Sequence, residues 1–275
     1  MKLLGELRRE IGASLERAGK FPGEAALLLQ AVTGIDSLGQ LLAPDTPLLP
    51  GQSRKLTRLL RLRLSGEPLQ WLLGETEFFG LRLQVCRGVL IPRPETEQLV
   101  DWALRSWQPG WSRVADVGTG SGAVALALAA QHPEVALWAS DLNPRALRLA
   151  RRNARRLGLQ ISFKLGDLLV SIPKGLDLIV ANLPYLPLGA PLPEEVRREP
   201  AAALFGGSDG LALIRPLIVQ ARTWLRPGGA LMIELDPSGV APLLQELAGS
   251  AALEMRRDLN GTPRFLKIRF VEDRF

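Results

Sequence analysis

The segment Asn182-Leu183-Pro184-Tyr185 has the residue types needed to hold a planar NH2 group. It follows the apolar run Leu176–Ala181, which predicts a buried strand. Because a residue before proline is kept out of the α region, the Leu183 carbonyl can point into a pocket beside the Asn182 side-chain oxygen. These two acceptors would bind both hydrogens of an NH2 group, and the Tyr185 ring would lie against its plane. Ligands of open α/β sheets bind at this end of the strands. The alternative is a strand-ending turn with a buried tyrosine.

A glycine-rich turn, residues 116–122 (Asp-Val-Gly-Thr-Gly-Ser-Gly), follows a short predicted strand at Arg113–Val117 and opens a helix. Glycines there let the backbone turn sharply and let a ligand approach main-chain N–H groups. The spacing differs from the G-x-G-x-x-G of dinucleotide-binding proteins, and the chain has no G-x-x-x-x-G-K-[ST] phosphate loop. The turn therefore argues against both NAD and a P-loop nucleotide.

Acidic residues close the next two predicted strands. Asp141 stands where an acid accepts hydrogen bonds from a ribose diol, although it could instead cap the helix that begins at Pro144. Asp167 and Leu168 could take an adenine amino group and ring face. A ribose acid without a pyrophosphate-type glycine pattern indicates S-adenosylmethionine, with Asp116 near its ammonium and N–H groups of the turn near its carboxylate. These features predict a methyltransferase, and the NH2 pocket argues against a protein that only holds the cofactor.

Composition predicts a cytoplasmic protein without a membrane segment. The chain has 275 residues, 47% of them hydrophobic, and no apolar run approaches the ~20 residues of a membrane helix. Charge appears too early after Met1 for a signal peptide, and the single Cys86, read as a small buried hydrophobe, cannot form an internal disulfide. The net charge of +6 indicates either a basic surface for nucleic acid or an RNA-associated partner, or ordinary surface ion pairing.

The first part of the chain is predicted to be helical. Apolar residues recur at helical spacing between Leu3 and Leu15. Further helices are predicted from Pro22, at the first helical position, to an end at Gly34, at Asp36–Leu42, at Arg54–Leu64 with Ser53 as its cap, and at Glu67–Leu73. One helix carries a basic face, which is either solvated surface or a docking patch: Arg54, Lys55, Arg58, Arg61 and Arg63. Period-2 alternation at Phe79–Val85, a turn at Gly88 and the run Val89–Ile91 then predict a β-hairpin.

After Pro94 the predicted strands and helices alternate, which is typical of a mostly parallel sheet with helices on both faces. We therefore predict a class I, Rossmann-like methyltransferase domain preceded by a small helical bundle. Strands are predicted at residues 113–117, 135–140, 162–165, 176–181, 230–235, 255–259 and 264–270, and helices at 123–131, 144–157, 211–225 and 240–247. The predicted domains are a helical substrate-recognition domain at residues 1–76, a β-hairpin linker at 77–92 and a methyltransferase domain at 93–275.

These motifs resemble the peptide chain release factor glutamine N5-methyltransferases (HemK-like) over nearly the whole chain. The matching segments are Gly66–Trp71, Leu90–Glu97, Glu199–Leu211 and Asp258–Arg264. The family motif is Asn-Pro-Pro-Tyr, and this chain has Leu183 at the first proline. Because the family uses that residue through its backbone carbonyl, the resemblance implies that the change is tolerated but leaves a looser loop.

The resemblance also implies roles for individual residues. The turn would line the methionine end of S-adenosylmethionine through Gly118, Thr119, Gly120, Ser121 and Gly122. Asp141 would hold the ribose, while Asp167 and Leu168 would border the adenine. Asn182, which would also touch the cofactor, and Tyr185 would be the catalytic residues. Together with Leu183 and Pro184 they would hold the glutamine of the Gly-Gly-Gln loop of a class 1 release factor.

The resemblance implies a monomer that needs neither nucleic acid nor a metal. Two other substrates stay open on the residues alone, because the same pocket could take them. One is a glutamine of a ribosomal protein. The other is the N6 amino group of a flipped adenine in nucleic acid.

Overall fold

The computed structural model describes residues 2–271, so the outer limits of the predicted domains, residues 1 and 275, lie outside the described residues. Its contacts divide the chain into two compact units. The first unit runs to Glu75 and also includes the distant segment Pro193–Arg198. The second unit comprises the remaining described residues from Thr76 onward. The predicted limits at residues 76 and 92 stay a prediction.

The first unit is helical as far as Leu73. Its helices are α1 (Leu4–Arg17), α2 (Glu24–Thr33), α3 (Ser37–Leu42), α4 (Pro50–Leu64) and α5 (Leu69–Leu73). They bury one leucine-rich core formed mainly by α1, α2 and α4. The predicted Ser53 cap is wrong, because α4 begins at Pro50, whose fixed φ suits the first helical position.

A buried ion-pair cluster joins the later segment to the helices of this unit. The Arg63 guanidinium donates to both carboxylate oxygens of Glu24, at 2.5 and 2.7 Å, and lies 2.7 Å from a Glu195 oxygen. Lys20 also binds Glu195, at 3.0 Å. Arg63 is therefore a buried structural residue, and its predicted place on the exposed basic face is wrong.

The predicted β-hairpin exists but lies earlier in the chain. Strands β1 (Glu75–Phe78) and β2 (Leu81–Gln84) form a two-stranded sheet. The turn is at Phe79-Gly80, where both residues have positive φ, rather than at Gly88. The alternating run Phe79–Val85, predicted to be one strand, thus contains the turn of the hairpin and strand β2. Val89–Ile91 is not a strand.

The second unit contains the larger sheet and its helices. They are α6 (Pro94–Arg105), β3 (Arg113–Val117), α7 (Ala123–Gln131), β4 (Ala136–Asp141), α8 (Pro144–Leu157), β5 (Ser162–Leu165), β6 (Leu176–Asn182), α9 (Ile214–Trp224), β7 (Leu225–Glu234), α10 (Pro237–Glu246), β8 (Ala251–Arg257) and β9 (Pro263–Phe270). The seven strands are ordered β5-β4-β3-β6-β7-β9-β8. Strands β3 to β7 pair in parallel, whereas β9 is antiparallel to both β7 and β8.

This topology confirms the predicted fold class and places two sequence motifs side by side. The chain passes from β3 outward to β4 and β5, and then returns to the other side of β3 as β6. In register, Val117 lies opposite Ala181, so the glycine turn and Asn182 leave the sheet at neighbouring points. Such a topological switch point forms a crevice at the carboxyl ends of the strands.

Alternate residues of the central strands enter cores on the two faces of the sheet. Val114 and Leu178 pack in the cluster that includes α6 and α7, whereas Ala115 and Ile179 pack in the cluster that includes α9. Strands covered on both faces are mostly apolar, which is why the predicted bounds of β3 and β6 lie within one residue of those observed. Strands β7 and β8 begin four or five residues earlier than predicted. Helix α6 was not predicted.

Among residues 2–271, no helix is long and apolar enough to cross a membrane, and the cytoplasmic compartment stays a prediction.

Candidate active site

A cavity of about 230 Å³ opens at the carboxyl ends of β3, β4 and β6, within the second unit. Its lining combines the glycine turn, the acids that follow β3 to β5 and the motif that follows β6. The residues that line it include Arg93, Thr96, Asp116, Gly118, Thr119, Gly120, Ser121, Asp141, Gly166, Asp167, Leu168, Asn182, Leu183 and Pro184. The fold thus brings the predicted site residues together from separate parts of the sequence. Tyr185 and Gly122, which are not among the lining residues, adjoin Pro184 and Ser121.

The glycine turn approaches the Asn-Leu-Pro-Tyr motif closely. Gly118 has φ +75°, and a Cβ built there would lie 2.7 Å from the Leu183 side chain. Leu183 is buried against this turn and belongs to the core of its face of the sheet. Side-chain packing thus holds the residue that stands where the family has proline, and the looser loop stays a prediction.

Most main-chain N–H groups of the turn are used within the protein. Gly118 and Thr119 donate to the Ser140 carbonyl, Gly120 donates to Asp141, and Gly122 donates to the Thr119 carbonyl. Because these four N–H groups already donate within the protein, fewer N–H groups of the turn remain for the cofactor carboxylate than the sequence predicts. A guanidinium, that of Arg93, also lies in the cavity lining.

Asp116 lies beneath the turn and is almost fully buried. One of its carboxylate oxygens accepts from the Thr119 hydroxyl at 2.6 Å and from the Ala125 N–H at 3.1 Å. Burial raises the pKa of Asp116 to about 7, although these two hydrogen bonds oppose the shift. Near neutral pH this group can exchange a proton when a cation binds beside it.

Asp141 joins two loops at the rim of the cavity. Its two oxygens accept from the N–H groups of Gly120, at 2.8 Å, and Asn143, at 2.7 Å. Helix α8 is capped by Asn143, whose side chain accepts from the Arg145 N–H at 2.9 Å. The helix-cap alternative for Asp141 is therefore wrong. Burial raises the pKa of the Asp141 carboxyl.

The residues after β5 form the far end of the cavity. Leu168 is buried in a positive-φ conformation, with φ +48°, and its carbonyl accepts from the buried Ser140 hydroxyl at 2.7 Å. Asp167 is exposed and lines the cavity beside it. An apolar surface and a solvent-facing carboxylate lie together here, as a bound adenine would need.

Asn182 is held by residues that the sequence analysis did not identify. Its Nδ2 donates to the Thr96 hydroxyl at 2.8 Å, and Thr96 donates to Glu234 Oε2 at 2.8 Å. The other Glu234 oxygen accepts from the Tyr185 hydroxyl at 2.8 Å. Glu234 is the last residue of β7 and is 1% exposed, directly opposite Asn182 in the sheet register. The sequence shows only a glutamate at the end of the apolar run Ala230–Ile233, which does not by itself mark Glu234 as a site residue.

The segment after the motif fixes its backbone. The Leu186 N–H donates to the Leu204 carbonyl, and the Gly206 N–H donates to the Leu186 carbonyl, each at 2.9 Å. Gly210 has φ +77°, and a Cβ there would overlap the Tyr185 carbonyl oxygen. Nearby, the buried Glu199 carboxylate accepts from Arg93 and from the Ile91 N–H, which holds the segment before α6.

The single histidine and the single cysteine of the chain lie outside the cavity lining. His132, the only histidine, stacks on Trp107 with 3.8 Å between ring centroids and contacts Glu134. Cys86 is half-buried against Val89, rather than buried as predicted. In the described part of the chain no cluster of histidine, cysteine or acidic side chains is arranged to hold a metal ion.

The chemistry of the cavity fits S-adenosylmethionine better than a dinucleotide or a triphosphate. Three carboxylates, those of Asp116, Asp141 and Asp167, line it. Carboxylates would repel phosphates, but they suit an ammonium, a sulfonium and a ribose diol. Sheet order, cavity position and lining together define a class I S-adenosylmethionine-dependent methyltransferase.

Comparison with known proteins gives the family. The profile "Methyltransferase small domain" matches residues 104–190, and "PrmC N-terminal domain" matches residues 6–74. A release factor glutamine methyltransferase of Deinococcus radiodurans is 43% identical, with 97% of this chain and 98% of the relative covered. One of Coxiella burnetii is 36% identical, with 98% and 99% covered. The chain belongs to the release factor glutamine methyltransferase family.

The solved structures agree in fold. A ribosomal protein L11 methylase from Lactobacillus delbrueckii subsp. bulgaricus superposes with a TM-score of 0.51 and 25% sequence identity. The superposition covers 69% of this chain and 86% of the methylase.

Proposed function

We propose that this protein transfers a methyl group from S-adenosylmethionine to the side-chain amide nitrogen, N5, of the glutamine in the Gly-Gly-Gln motif of class 1 peptide chain release factors. The orientation of Asn182 carries the proposal. Its NH2 group is engaged by Thr96, so its Oδ1 is the atom left to accept a hydrogen bond in the cavity. Membership in the release factor glutamine methyltransferase family supports the choice of substrate.

Several residues of the second unit would hold the cofactor. The turn Gly118–Gly122 and Asp116 would surround its methionine end, and Asp141 would hold the ribose hydroxyls. Asp167 and Leu168 would border the adenine. When bound, S-adenosylmethionine supplies a sulfonium methyl group, which is the electrophile of the reaction.

The motif would bind and orient the substrate amide. An amide nitrogen is a poor nucleophile because its lone pair is conjugated with the carbonyl. Asn182 Oδ1 and the Leu183 carbonyl would accept its two hydrogens, and the Tyr185 ring would lie against the amide plane. As positive charge develops on the nitrogen, these two acceptors bind more tightly than in the ground state, which lowers the barrier. Holding the nitrogen in line with the methyl group supplies much of the remaining rate.

The first unit, within residues 1–76, would recognise the partner protein. A glutamine on a loop offers little surface, so affinity must come from other contacts with the release factor. Helix α4 presents four exposed cationic side chains that could dock an acidic surface: Arg54, Lys55, Arg58 and Arg61. We also propose, as the family resemblance implies, that the protein acts as a monomer.

A substrate comparison tests this function. The protein is incubated with methyl-labelled cofactor and, separately, with a class 1 release factor, with ribosomes and with DNA. We expect label in the release factor only, lost when the glutamine of its Gly-Gly-Gln motif is replaced by alanine. Label in a ribosomal protein or in adenine would contradict the proposal and identify the substrate.

A further inference from the structure

Glu234 is a buried carboxylate where an apolar residue would be expected. It ends a strand whose preceding residues, Ala230–Ile233, are all buried and apolar. A buried carboxylate is costly unless it is hydrogen-bonded. Here each oxygen accepts one hydroxyl hydrogen, from Thr96 and from Tyr185, both at 2.8 Å. These donors lie on α6 and in the motif after β6, so one carboxylate joins two elements of the site.

The donor and acceptor roles in this group are fixed by counting hydrogens. An ionised carboxylate can only accept, so Thr96 must give its single hydroxyl hydrogen to Glu234. Thr96 can then only accept from Asn182, which must turn its NH2 group toward Thr96. The Asn182 Oδ1 is consequently directed away from Thr96. An asparagine without this partner could present either its oxygen or its NH2 group.

We propose that Glu234 and Thr96 are positioning residues, and that the Glu234 carboxylate, acting through the Thr96 hydroxyl, selects the Asn182 orientation that accepts from the substrate nitrogen. Through its other oxygen the same carboxylate holds the Tyr185 ring. This inference rests on the proposed function, because it explains how the acceptor for the reacting amide is oriented. Neither residue needs to touch the substrate.

The charge on Glu234 controls this orientation. A protonated Glu234 carries a hydrogen, so either Thr96 or Tyr185 would have to accept from it. If Thr96 accepts, its own hydrogen turns to Asn182, and the NH2 group of Asn182 then faces the substrate NH2, with no acceptor between them. Burial raises the pKa of Glu234, while hydrogen bonds from Thr96 and Tyr185 and the charge of Arg264 lower it and Glu95 raises it.

The first test follows Asn182 without any catalysis. The chain has four asparagines, at 143, 153, 182 and 260, so labelling the asparagine side-chain nitrogen with ¹⁵N gives four NH2 groups, each seen as a pair of proton signals. Asn182→Ala identifies the Asn182 signal. We expect Thr96→Ser to keep its chemical shift and slow hydrogen exchange, and Thr96→Val to change both. Asn182 signals that are the same in wild type and in Thr96→Val would overturn the inference.

The second test separates positioning from folding and from cofactor binding. At saturating cofactor, we expect Thr96→Val to lower kcat roughly 10- to 100-fold, as is common when an orienting partner is lost. Thr96→Ser, which keeps the hydroxyl, should retain near-normal kcat, and calorimetry should give the same cofactor Kd for both variants. Equal kcat in Thr96→Val and Thr96→Ser would overturn the inference.

The third test uses the pH profile. In wild type at saturating cofactor, kcat should fall as pH drops through the pKa of Glu234, because the protonated acid no longer fixes Asn182. Glu234→Gln should lower kcat at all pH values, since its amide can present only one acceptor oxygen, and the fall of kcat at low pH should disappear. A fall of kcat at low pH that persists in Glu234→Gln would overturn the inference. If wild type methylates no release factor, the proposed function fails, and the asparagine signals still decide the orientation.

Discussion

At the scale of single residues, the site depends on buried carboxylates that accept hydrogen bonds from neighbouring groups of the protein. Asp116, Asp141 and Glu234 each accept two hydrogen bonds from named donors. Burial raises the pKa of each of them. Asp116 and Asp141 line the cavity, where a bound cation would favour their ionised forms and offset the cost of their burial.

The pKa of Asp116 makes cofactor affinity depend on pH. Burial raises this pKa to about 7, so the carboxyl is largely protonated in acid and ionised in base. A cationic ammonium prefers the ionised form, so binding below the pKa requires release of a proton. We expect the Kd for S-adenosylmethionine to rise as pH falls from about 8 to about 6, by at most about tenfold per pH unit.

Calorimetry across this pH range measures the dependence, and Asp116→Asn is the control because its side chain does not titrate. That variant should bind more weakly at high pH and show a flatter profile. Equal pH dependence in wild type and Asp116→Asn would assign the proton to another group.

For Asp141, residue type and position predict a place near the cofactor but not which residue caps the next helix. Its position at the end of a predicted strand indicated an acid for the cofactor, and the structure places Asp141 at the end of β4 in the cavity lining. The sequence left open whether Asp141 or a neighbour caps α8, because Asp141 and Asn143 both precede Pro144 at plausible cap positions. Only the backbone geometry decides this, and it selects Asn143.

At the scale of elements, the segment after the motif acts as a template for the Tyr185 backbone. Gly210 contacts the Tyr185 carbonyl closely enough that no side chain fits between them. Gly189 offers a matched control, because its φ of +87° resembles the +77° of Gly210 but a Cβ there would meet nothing within 4 Å.

We expect Gly210→Ala to lose most methyl transfer by displacing Tyr185, and Gly189→Ala to retain it. Both substitutions carry the backbone cost of alanine at positive φ, about 1 kcal/mol, so thermal unfolding should shift in both. Transfer assays on the two variants at equal folded concentration make the comparison. Similar activity in both would mean that the close contact at Gly210 has no role in placing the motif.

The central strands and the glycine turn could be predicted because their signals are local. Strand β3 and helices α7 and α8 have their predicted bounds, since apolar runs, glycines and prolines mark their ends. The prolines around Arg93 do not by themselves indicate a helix, but Pro94 occupies the first turn of α6, where its fixed φ suits a helix start.

Thr96 and Glu234 could not be found as site residues from the sequence. They lie 138 positions apart, and their contact exists only because α6 packs beside the end of β7. No spacing rule connects a helix residue to a strand residue at that separation. The buried ion pairs of Arg63 with Glu24 and Glu195 were missed for the same reason.

At the scale of the whole molecule, the positive charge is unevenly distributed among helices. Helix α8 carries six exposed arginines, and α4 carries four exposed cationic residues. The two helices belong to different units, so their contributions to partner binding can be separated. A general electrostatic effect would depend on net charge, whereas docking would depend on which helix is changed.

We expect the triple variant Arg54→Glu, Arg58→Glu, Arg61→Glu to raise KM for intact release factor and to leave KM for a short Gly-Gly-Gln peptide unchanged. The control is Arg148→Glu, Arg152→Glu, Arg155→Glu on α8, which changes net charge by the same amount. Steady-state kinetics with both substrates supply the comparison. Equal effects of the two triple variants would reduce the role of α4 to general electrostatics.

The central claim is that Asn182 orients the reacting amide, and that the predicted contact of Asn182 with the cofactor is not needed for cofactor affinity. The most direct measurement compares cofactor affinity and methyl transfer in Asn182→Ala, with the exposed Asn260→Ala as the control variant. We predict that Asn182→Ala keeps the wild-type Kd for S-adenosylmethionine and loses transfer to release factor by on the order of 10²-fold or more. Asn260→Ala should keep both. Near-normal turnover by Asn182→Ala would contradict the account.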